Sequence, residues 1–168
     1  MTIAGFDPGL NQTGFGILND LTPISVLGFG VIAPRASKII ADRLSEIYAG
    51  ARQVLKDYAP DVVVVEEIYF ANNPQTTLKI GIVRGLIFAA ALEQKIKIAS
   101  FSPAEVKMAV IGKGNATKDQ VGFLVARILG IKKEIPEDSA DALAVSLCYL
   151  SHRKYEMQIE KGKVQNSK

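Results

Sequence analysis

Asp61-Val62-Val63-Val64-Val65-Glu66-Glu67-Ile68 decides the fold. Four β-branched residues in a row, with no polar alternation, describe a strand covered on both faces, and such strands lie in the middle of a sheet with parallel neighbours. The flanking stretches agree. Upstream, residues 37–58 repeat apolar side chains at Ile40, Leu44, Ile47, Ala51 and Leu55, the period of an amphipathic helix, and Pro60 follows as a stop. Downstream, residues 74–94 predict a second helix through Leu78, Ile82, Gly85, Leu86 and Ala89, and residues 96–101 a short strand ended by Pro103. Units of this kind pair in parallel through right-handed crossovers.

Working outward, the chain opens with three shorter strands, residues 2–7, 14–18 and 26–32, separated by Pro8-Gly9-Leu10-Asn11 and by Asn19-Asp20 with Pro23. That spacing predicts an antiparallel meander. The remainder reads as helices over residues 104–111, 118–129 and 139–150, with Gly112-Lys113-Gly114-Asn115 between the first two; this loop lacks the residue order of a P-loop. Residues 1–155 are expected to form one domain and the polar stretch 156–168 a flexible tail. The predicted architecture is α/β, a mixed five-stranded sheet of three antiparallel strands plus parallel strands flanked by helices, unlike the all-parallel dinucleotide folds. This order of elements resembles the RNase H-like fold.

The totals are those of a globular protein: 168 residues, 48% hydrophobic, 22% charged and a net charge of +3. A balance this weakly basic selects no partner by itself, although basic residues gather at Lys107, Lys113 and Lys118 and again at His152-Arg153-Lys154. Cys148 is the one cysteine, set in an apolar run, so it reads as a buried core thiol in a reducing compartment. No basic segment with an apolar run and cleavage site opens the chain, and no apolar stretch is expected to span a membrane, so the cytoplasm is the expected location.

Acidic residues stand where strands and helices end. Asp7 closes the apolar run Ile3-Ala4-Gly5-Phe6; read alone, Asp7-Pro8-Gly9 is also a plain turn. Glu66 and Glu67 end the valine run, where an ionised carboxylate beside a buried strand needs a cation or donors. Side chains alternate, so one of the two shares the face of Asp7, and four identical valines leave both choices open. Asp138 and Asp141, three apart, project from one face at the start of the last helix, where one of them also suits a capping role. Two acids ending core strands and two at a helix entry make an oxygen-only set suited to Mg²⁺ or Mn²⁺, and paired ions of this kind serve phosphodiester hydrolysis. Zinc is disfavoured with one Cys and one His.

Gly5-Phe6-Asp7-Pro8-Gly9, Val65-Glu66-Glu67-Ile68-Tyr69-Phe70, residues 79–85, Val106-Lys107, Ala116-Thr117-Lys118-Asp119-Gln120-Val121 and Asp138-Ser139-Ala140-Asp141-Ala142-Leu143-Ala144 together resemble the RuvC family of Holliday-junction resolvases, over residues 3–150. The resemblance implies a crossover junction endodeoxyribonuclease of homologous recombination and DNA repair, leaving 5′-phosphate ends, with Asp7, Glu66, Asp138 and Asp141 as catalytic and metal-binding acids. It is the resemblance that selects Glu66 over Glu67. It further implies two Mg²⁺ ions per site, replaceable by Mn²⁺, and DNA contacts through Lys107, Lys118, Tyr69 and Phe70, with Tyr69 at the family's base-stacking position. The implied partners are four-way junction DNA, a second copy of the chain, and the RuvA-RuvB branch-migration complex. The helix over residues 74–94 is apolar on two faces, Ile80, Val83, Ile87 and Ala91 lying away from the Leu78 line, and the resemblance makes it the dimer helix, with Val83 and Ile87 as interface positions.

Two other readings compete with junction resolution. An RNase H-like nuclease trimming RNA, of the YqgF kind, would lack the full Asp138-to-Ala144 context and the dimer helix. A non-catalytic junction-binding module would not need all four acids.

Overall fold

The computed structural model describes residues 1–36, 39–68, 73–112 and 117–165, with side chains as far as Ile159. Five strands, β1 (Thr2–Asp7), β2 (Thr13–Asn19), β3 (Ser25–Ile32), β4 (Val62–Glu66) and β5 (Lys97–Phe101), form one sheet in the order β3-β2-β1-β4-β5. β1 pairs antiparallel with β2, and β2 with β3, whereas β1–β4 and β4–β5 are parallel. Helices α1 (Ile40–Tyr58), α2 (Pro74–Glu93), α3 (Pro103–Ile111), α4 (Lys118–Ile128) and α5 (Glu137–Gln165) cover it. The mixed sheet expected from the sequence is therefore present.

Packing resolves the alternation that the valine run conceals. Val62 and Val64 join Ile3 and Leu18 in a core closed by Val106, Val121, Leu143 and Val145 from α3, α4 and α5. Val63 and Val65 join Ala4, Phe6 and Ile17 under Ile47, Leu55, Val83 and Ile87 from α1 and α2. All four valines are at most 1% exposed, which is why no polar residue alternates with them. Asp61 fixes the start of β4: its Oδ2 accepts from the Thr2 N–H at 2.7 Å while its own N–H donates to Thr2 O at 2.9 Å.

Helix α5 lies unusually close to β1 and β2 because glycines floor the contact. A Cβ on Gly5 would stand 2.0 Å from Ala142 O, one on Gly14 2.0 Å from Asp138 O, and one on Gly16 2.6 Å from Leu143 Cγ. Glycine inside a strand marks such a close approach. Two buried hydroxyls set the register of the helix on the sheet: Ser139 Oγ donates to Gly30 O at 2.8 Å and Ser146 Oγ to Gly16 O at 3.2 Å.

Three expectations need correction. The last helix does not close at Leu150 but runs to Gln165, through most of the segment expected to be a tail. Residues 151–165 contain no proline and are rich in helix-forming Lys, Glu, Gln and Arg. The extra turns are anchored by Arg153 on Asp20 and by His152 against the Phe101 ring, centroids 4.7 Å apart. Second, Val83 and Ile87 are not interface positions: both are fully buried in their own chain's core. The outward face of α2 carries Leu78, Ile82, Gly85, Ala89 and Leu92. Third, α2 is by length and composition apolar enough to cross a membrane, contrary to the expectation that no stretch would be. Its inward face packs against the sheet, and Arg84 bonds Ser100 Oγ at 2.8 Å, which accounts for the apolarity of that side as core.

The glycine contact makes a stability prediction. Gly5→Ala should lower stability by about 1–3 kcal/mol through overpacking against α5. Gly122→Ala, where the new methyl meets only Ala140 Cβ at 3.9 Å inside α4, should gain about 0.5–1 kcal/mol. Urea unfolding of the two variants measures both; equal effects would show that α5 tolerates a Cβ at Gly5.

Candidate active site

Asp7 is the last residue of β1 and Glu66 the last of β4, and because Phe6 pairs with Val65 the two carboxylates leave the sheet side by side. Gly5 faces α5, so Asp7, two residues on, faces α5 as well; Glu66 follows Val62 and Val64 onto the same face. Glu67 is exposed, and its backbone N–H donates to Phe101 O at 2.7 Å. Strand parity thus makes the choice between Glu66 and Glu67 that the valine run left open.

The other two acids arrive from above. Asp138 and Asp141 occupy the first turns of α5, and the contact at Gly14 lays the Asp138 backbone directly on β2. Asp7 lies within electrostatic reach of the other three carboxylates. Burial first, then Asp141, Asp138 and Glu66, push the Asp7 carboxyl up to about 7. Glu66 is raised by burial and by Asp141, and Asp138 by burial, Glu137 and Asp141.

Two lysines meet this negative charge. Lys118 opens α4, whose start is fixed by a capping box in which Thr117 Oγ1 accepts from Gln120 N and Gln120 Oε1 accepts from Thr117 N, at 3.3 and 3.0 Å. Its Nζ donates to Asp141 Oδ2 at 3.2 Å and Glu137 Oε1 at 3.4 Å. Burial works against the ammonium, but Asp141 and Glu137 outweigh it and hold Lys118 above the ordinary lysine value. Lys107 on α3 lies near enough to Glu66 to favour its ionised form.

Among the described residues no three Asp, Glu, His or Cys side chains are gathered at metal-ligand spacing. The four acids are instead spread around the strand ends, with Lys118 holding Asp141. The donor set nevertheless fits a hard divalent cation, since every group is a carboxylate oxygen; Asp7 is raised first by burial and then by Asp141, Asp138 and Glu66.

Of the remaining expected residues, Tyr69 and Phe70 lie outside the described residues, as does Lys113. The basic group at residues 152–154 is not brought to the acids. Arg153 pairs with Asp20, which also holds the Met1 ammonium at 2.6 Å, next to the start of β1. Burial pushes the Cys148 thiol up to about 12, in keeping with an inert core position. Sequence reasoning missed Glu137 as the second partner of Lys118, and missed the glycine floor. Glycines at alternate strand positions, Gly14 and Gly16, are the signal that would have revealed the latter.

A five-stranded mixed sheet with acids at the ends of its first and fourth strands and on its closing helix defines an RNase H-like protein. Residues 3–149 match the family model described as Crossover junction endodeoxyribonuclease RuvC. A relative of that name from Oleidesulfovibrio alaskensis is 37% identical over 155 residues, 92% of this chain and 93% of that protein. The relative from Pelodictyon phaeoclathratiforme is 42% identical, covering 89% of this chain and 80% of its own length. Thermus thermophilus RuvC, solved in complex with Holliday junction substrate, superposes with a TM-score of 0.86 at 30% identity, covering 93% of this chain and 96% of that one. The chain belongs to the RuvC crossover junction endodeoxyribonuclease family.

The raised Asp7 carries a pH signature. An acid whose pKa rises on folding binds its proton more tightly in the native state, so stability is present at low pH and is lost as pH climbs from the unfolded value of 3.8 through about 7. The loss has an upper bound of about 4 kcal/mol, at roughly 1.4 kcal/mol per pH unit. In chelator-containing buffer, Asp7→Asn should therefore raise the melting temperature more at pH 8 than at pH 5. A gain independent of pH would mean that Asp7 is not held among the other carboxylates.

Proposed function

We propose that this protein is a homodimeric, divalent-metal-dependent endonuclease that resolves four-way DNA junctions, and that Asp7, Glu66, Asp138 and Asp141 form its catalytic centre. The observation that carries the proposal is the convergence of these four carboxylates on one face of the sheet, with Asp7 raised to about 7 by burial and by the other three. Family membership gives the substrate class, since a relative of the same fold is solved with Holliday junction substrate.

In this reading the four carboxylates hold two Mg²⁺ ions, for which Mn²⁺ substitutes; once bound, the ions supply the Lewis acidity and water activation that phosphodiester hydrolysis with 5′-phosphate products requires. The protein's own part is positional. β1 and β4 present Asp7 and Glu66 at a common height, and α5 brings Asp138 and Asp141 down on them. Lys118, bonded to Asp141 and Glu137, stands ready to exchange a carboxylate for a phosphate oxygen as DNA arrives. Lys107 lines the approach to Glu66 from α3, and Tyr69 and Phe70, next in sequence after Ile68, are assigned to unpaired bases. The nuclease domain is assigned to residues 1–155, with residues 156–168 as a polar extension, acting in the cytoplasm beside the RuvA-RuvB branch-migration complex.

A dimer suits the outward face of α2. Leu78, Ile82, Gly85, Ala89 and Leu92 alternate spacings of four and three, the seam of a helix packed along a second helix. Leu78 and Leu92 are 68% and 65% exposed, and Gly85 leaves open space for a close partner. A two-fold axis along this seam would relate two acid clusters, matching the approximate symmetry of a junction cut on paired strands.

Incubating a synthetic four-way junction with the protein, with and without Mg²⁺, tests the activity. Cutting only with metal is expected; binding without cutting would leave a junction-binding module, and cutting of RNA alone would favour the RNA-trimming reading. Asp7→Asn and Asp141→Asn should each reduce cutting by more than about 100-fold while junction binding survives. Near-normal cleavage by either variant in Mg²⁺ removes it from the catalytic set.

The seam makes a separate prediction. Ile82→Glu should shift the protein toward monomers by placing unpaired carboxylates in the interface, whereas Ile159→Glu, outside the seam, should not. Light scattering reports the mass. A cruciform plasmid then yields nicked circles in place of linear product; a dimeric Ile82→Glu protein that still linearises it rules out the α2 seam.

A further inference from the structure

The connection between α4 and α5 carries a cation that the four-acid centre does not use. Gly130, at φ 64°, turns the chain out of α4 in the left-handed conformation, and the Ile131 N–H closes the turn on Ala126 O at 2.9 Å. Ile131 and Ile135 then pack on the core at either end of Lys132-Lys133-Glu134, and Pro136 leads into α5. The middle of the loop is thus held from both sides. There the Lys133 ammonium lies 4.3 Å from the centroid of the Phe29 ring on β3, a cation–π contact.

Lys133 lines a cleft of about 530 Å³ between α4 and this loop, with Lys118, Gly122 and Ala126 along the α4 wall, and the cleft reaches the acids at Asp141. A ring face holds an ammonium without cancelling its charge and leaves N–H donors for another acceptor. Among the described residues no ion pair joins Lys133 to a carboxylate. Three further acids share the cleft. Glu137 is paired with Lys118, Asp119 sits in the first turn of α4 where the helix dipole favours it, and Glu134 is exposed. With acids nearby, Lys133 is no long-range attractor of polyanions. It acts at contact, on an anion laid against it.

From this geometry we infer that Lys133 is a positioning residue that grips a phosphodiester of the cleaved strand on the Asp141 side of the scissile phosphate, with Phe29 as its platform. The inference rests on the proposed nuclease reading and deepens it. Lys118 meets the strand at the acids, and Lys133 holds it further along the same cleft. Two fixed points set the direction in which the backbone crosses the acids, which one contact leaves free.

The test uses the full chain and synthetic junctions. Binding of wild type, Lys133→Gln and Lys133→Arg is titrated against salt without divalent metal, so the cleft is probed whether or not cutting occurs. Lys133→Gln should lower the logarithmic salt slope by about 0.7–0.9, and Lys133→Arg should keep the slope. Junctions with one uncharged methylphosphonate at successive positions beside the cut site then locate the contact. Wild type should slow about three- to fivefold at one position, and Lys133→Gln, already slowed, should be indifferent to that position. Phe29→Leu keeps the charge and removes the ring face; it should slow cutting in the wild-type background and add nothing in the Lys133→Gln background. Melting curves confirm folding, and Lys133→Gln, at an exposed position, keeps the test open should Phe29→Leu misfold. An unchanged slope for Lys133→Gln, or the same methylphosphonate sensitivity in wild type and Lys133→Gln, overturns the inference while the nuclease reading stands. Equal slowing by Phe29→Leu in both backgrounds overturns the platform. A wild type that binds but never cuts a junction in Mg²⁺ would instead count against the nuclease reading.

Discussion

Everything at the candidate site depends on how closely α5 approaches the first hairpin. Gly5, Gly14 and Gly16 remove the side chains that would hold a helix at its usual distance from a sheet, and the helix backbone settles at Ala142 and Asp138 into the space left. A strand glycine forfeits β propensity and packing area, so three of them facing one helix make sense only if the close approach serves something else. What it serves is the height of Asp138 and Asp141 above Asp7. Buried Ser139 and Ser146 then fix the helix along its axis, through bonds to Gly30 and Gly16, so the acids are placed both in distance and in register.

That closeness is unfavourable for the protein alone. Four carboxylates share one half-buried face, and Asp7, raised to about 7, carries most of the conflict. The core beneath is well able to bear it, since both faces of β1 and β4 are sealed by helices and the valines of β4 are essentially inaccessible. Stability is thus concentrated in the apolar layers and electrostatic strain at the strand ends, the division expected at a functional site. Lys118 partly relieves the conflict, but as an exposed ammonium shared between Asp141 and Glu137 it is a replaceable partner.

Helix α2 illustrates how one apolar segment can have two destinations. Periodicity registered hydrophobicity on both faces, and the resemblance to a dimer helix was placed on the stripe of Val83 and Ile87, whereas these fill the core and Leu78, Ile82 and Leu92 face outward. Both stripes have acceptable helical spacing, and nothing local distinguishes the one that meets the sheet. The last helix gave the opposite difficulty: its polar continuation to Gln165 lacks an apolar stripe, and its continuation is anchored by contacts to Asp20 and Phe101, far away in sequence.

The amino-acid sequence by itself determined the strand and helix order, the mixed sheet and the four acids as candidates, because a β-branched run, helical periodicity and charged residues at element ends are local signals. Its motifs also sufficed to bring out the family resemblance. The residue pattern left open which glutamate faces Asp7; the family resemblance selected Glu66, and the tertiary structure gives the physical reason, since parity becomes visible only when each valine is matched to the layer covering it. Tertiary structure alone decided the glycine floor under α5 and the place of Glu137 beside Lys118. These juxtapose residues from opposite ends of the chain, Gly5 with Ala142 and Gly14 with Asp138 among them, and no local preference of either residue encodes the distance between them.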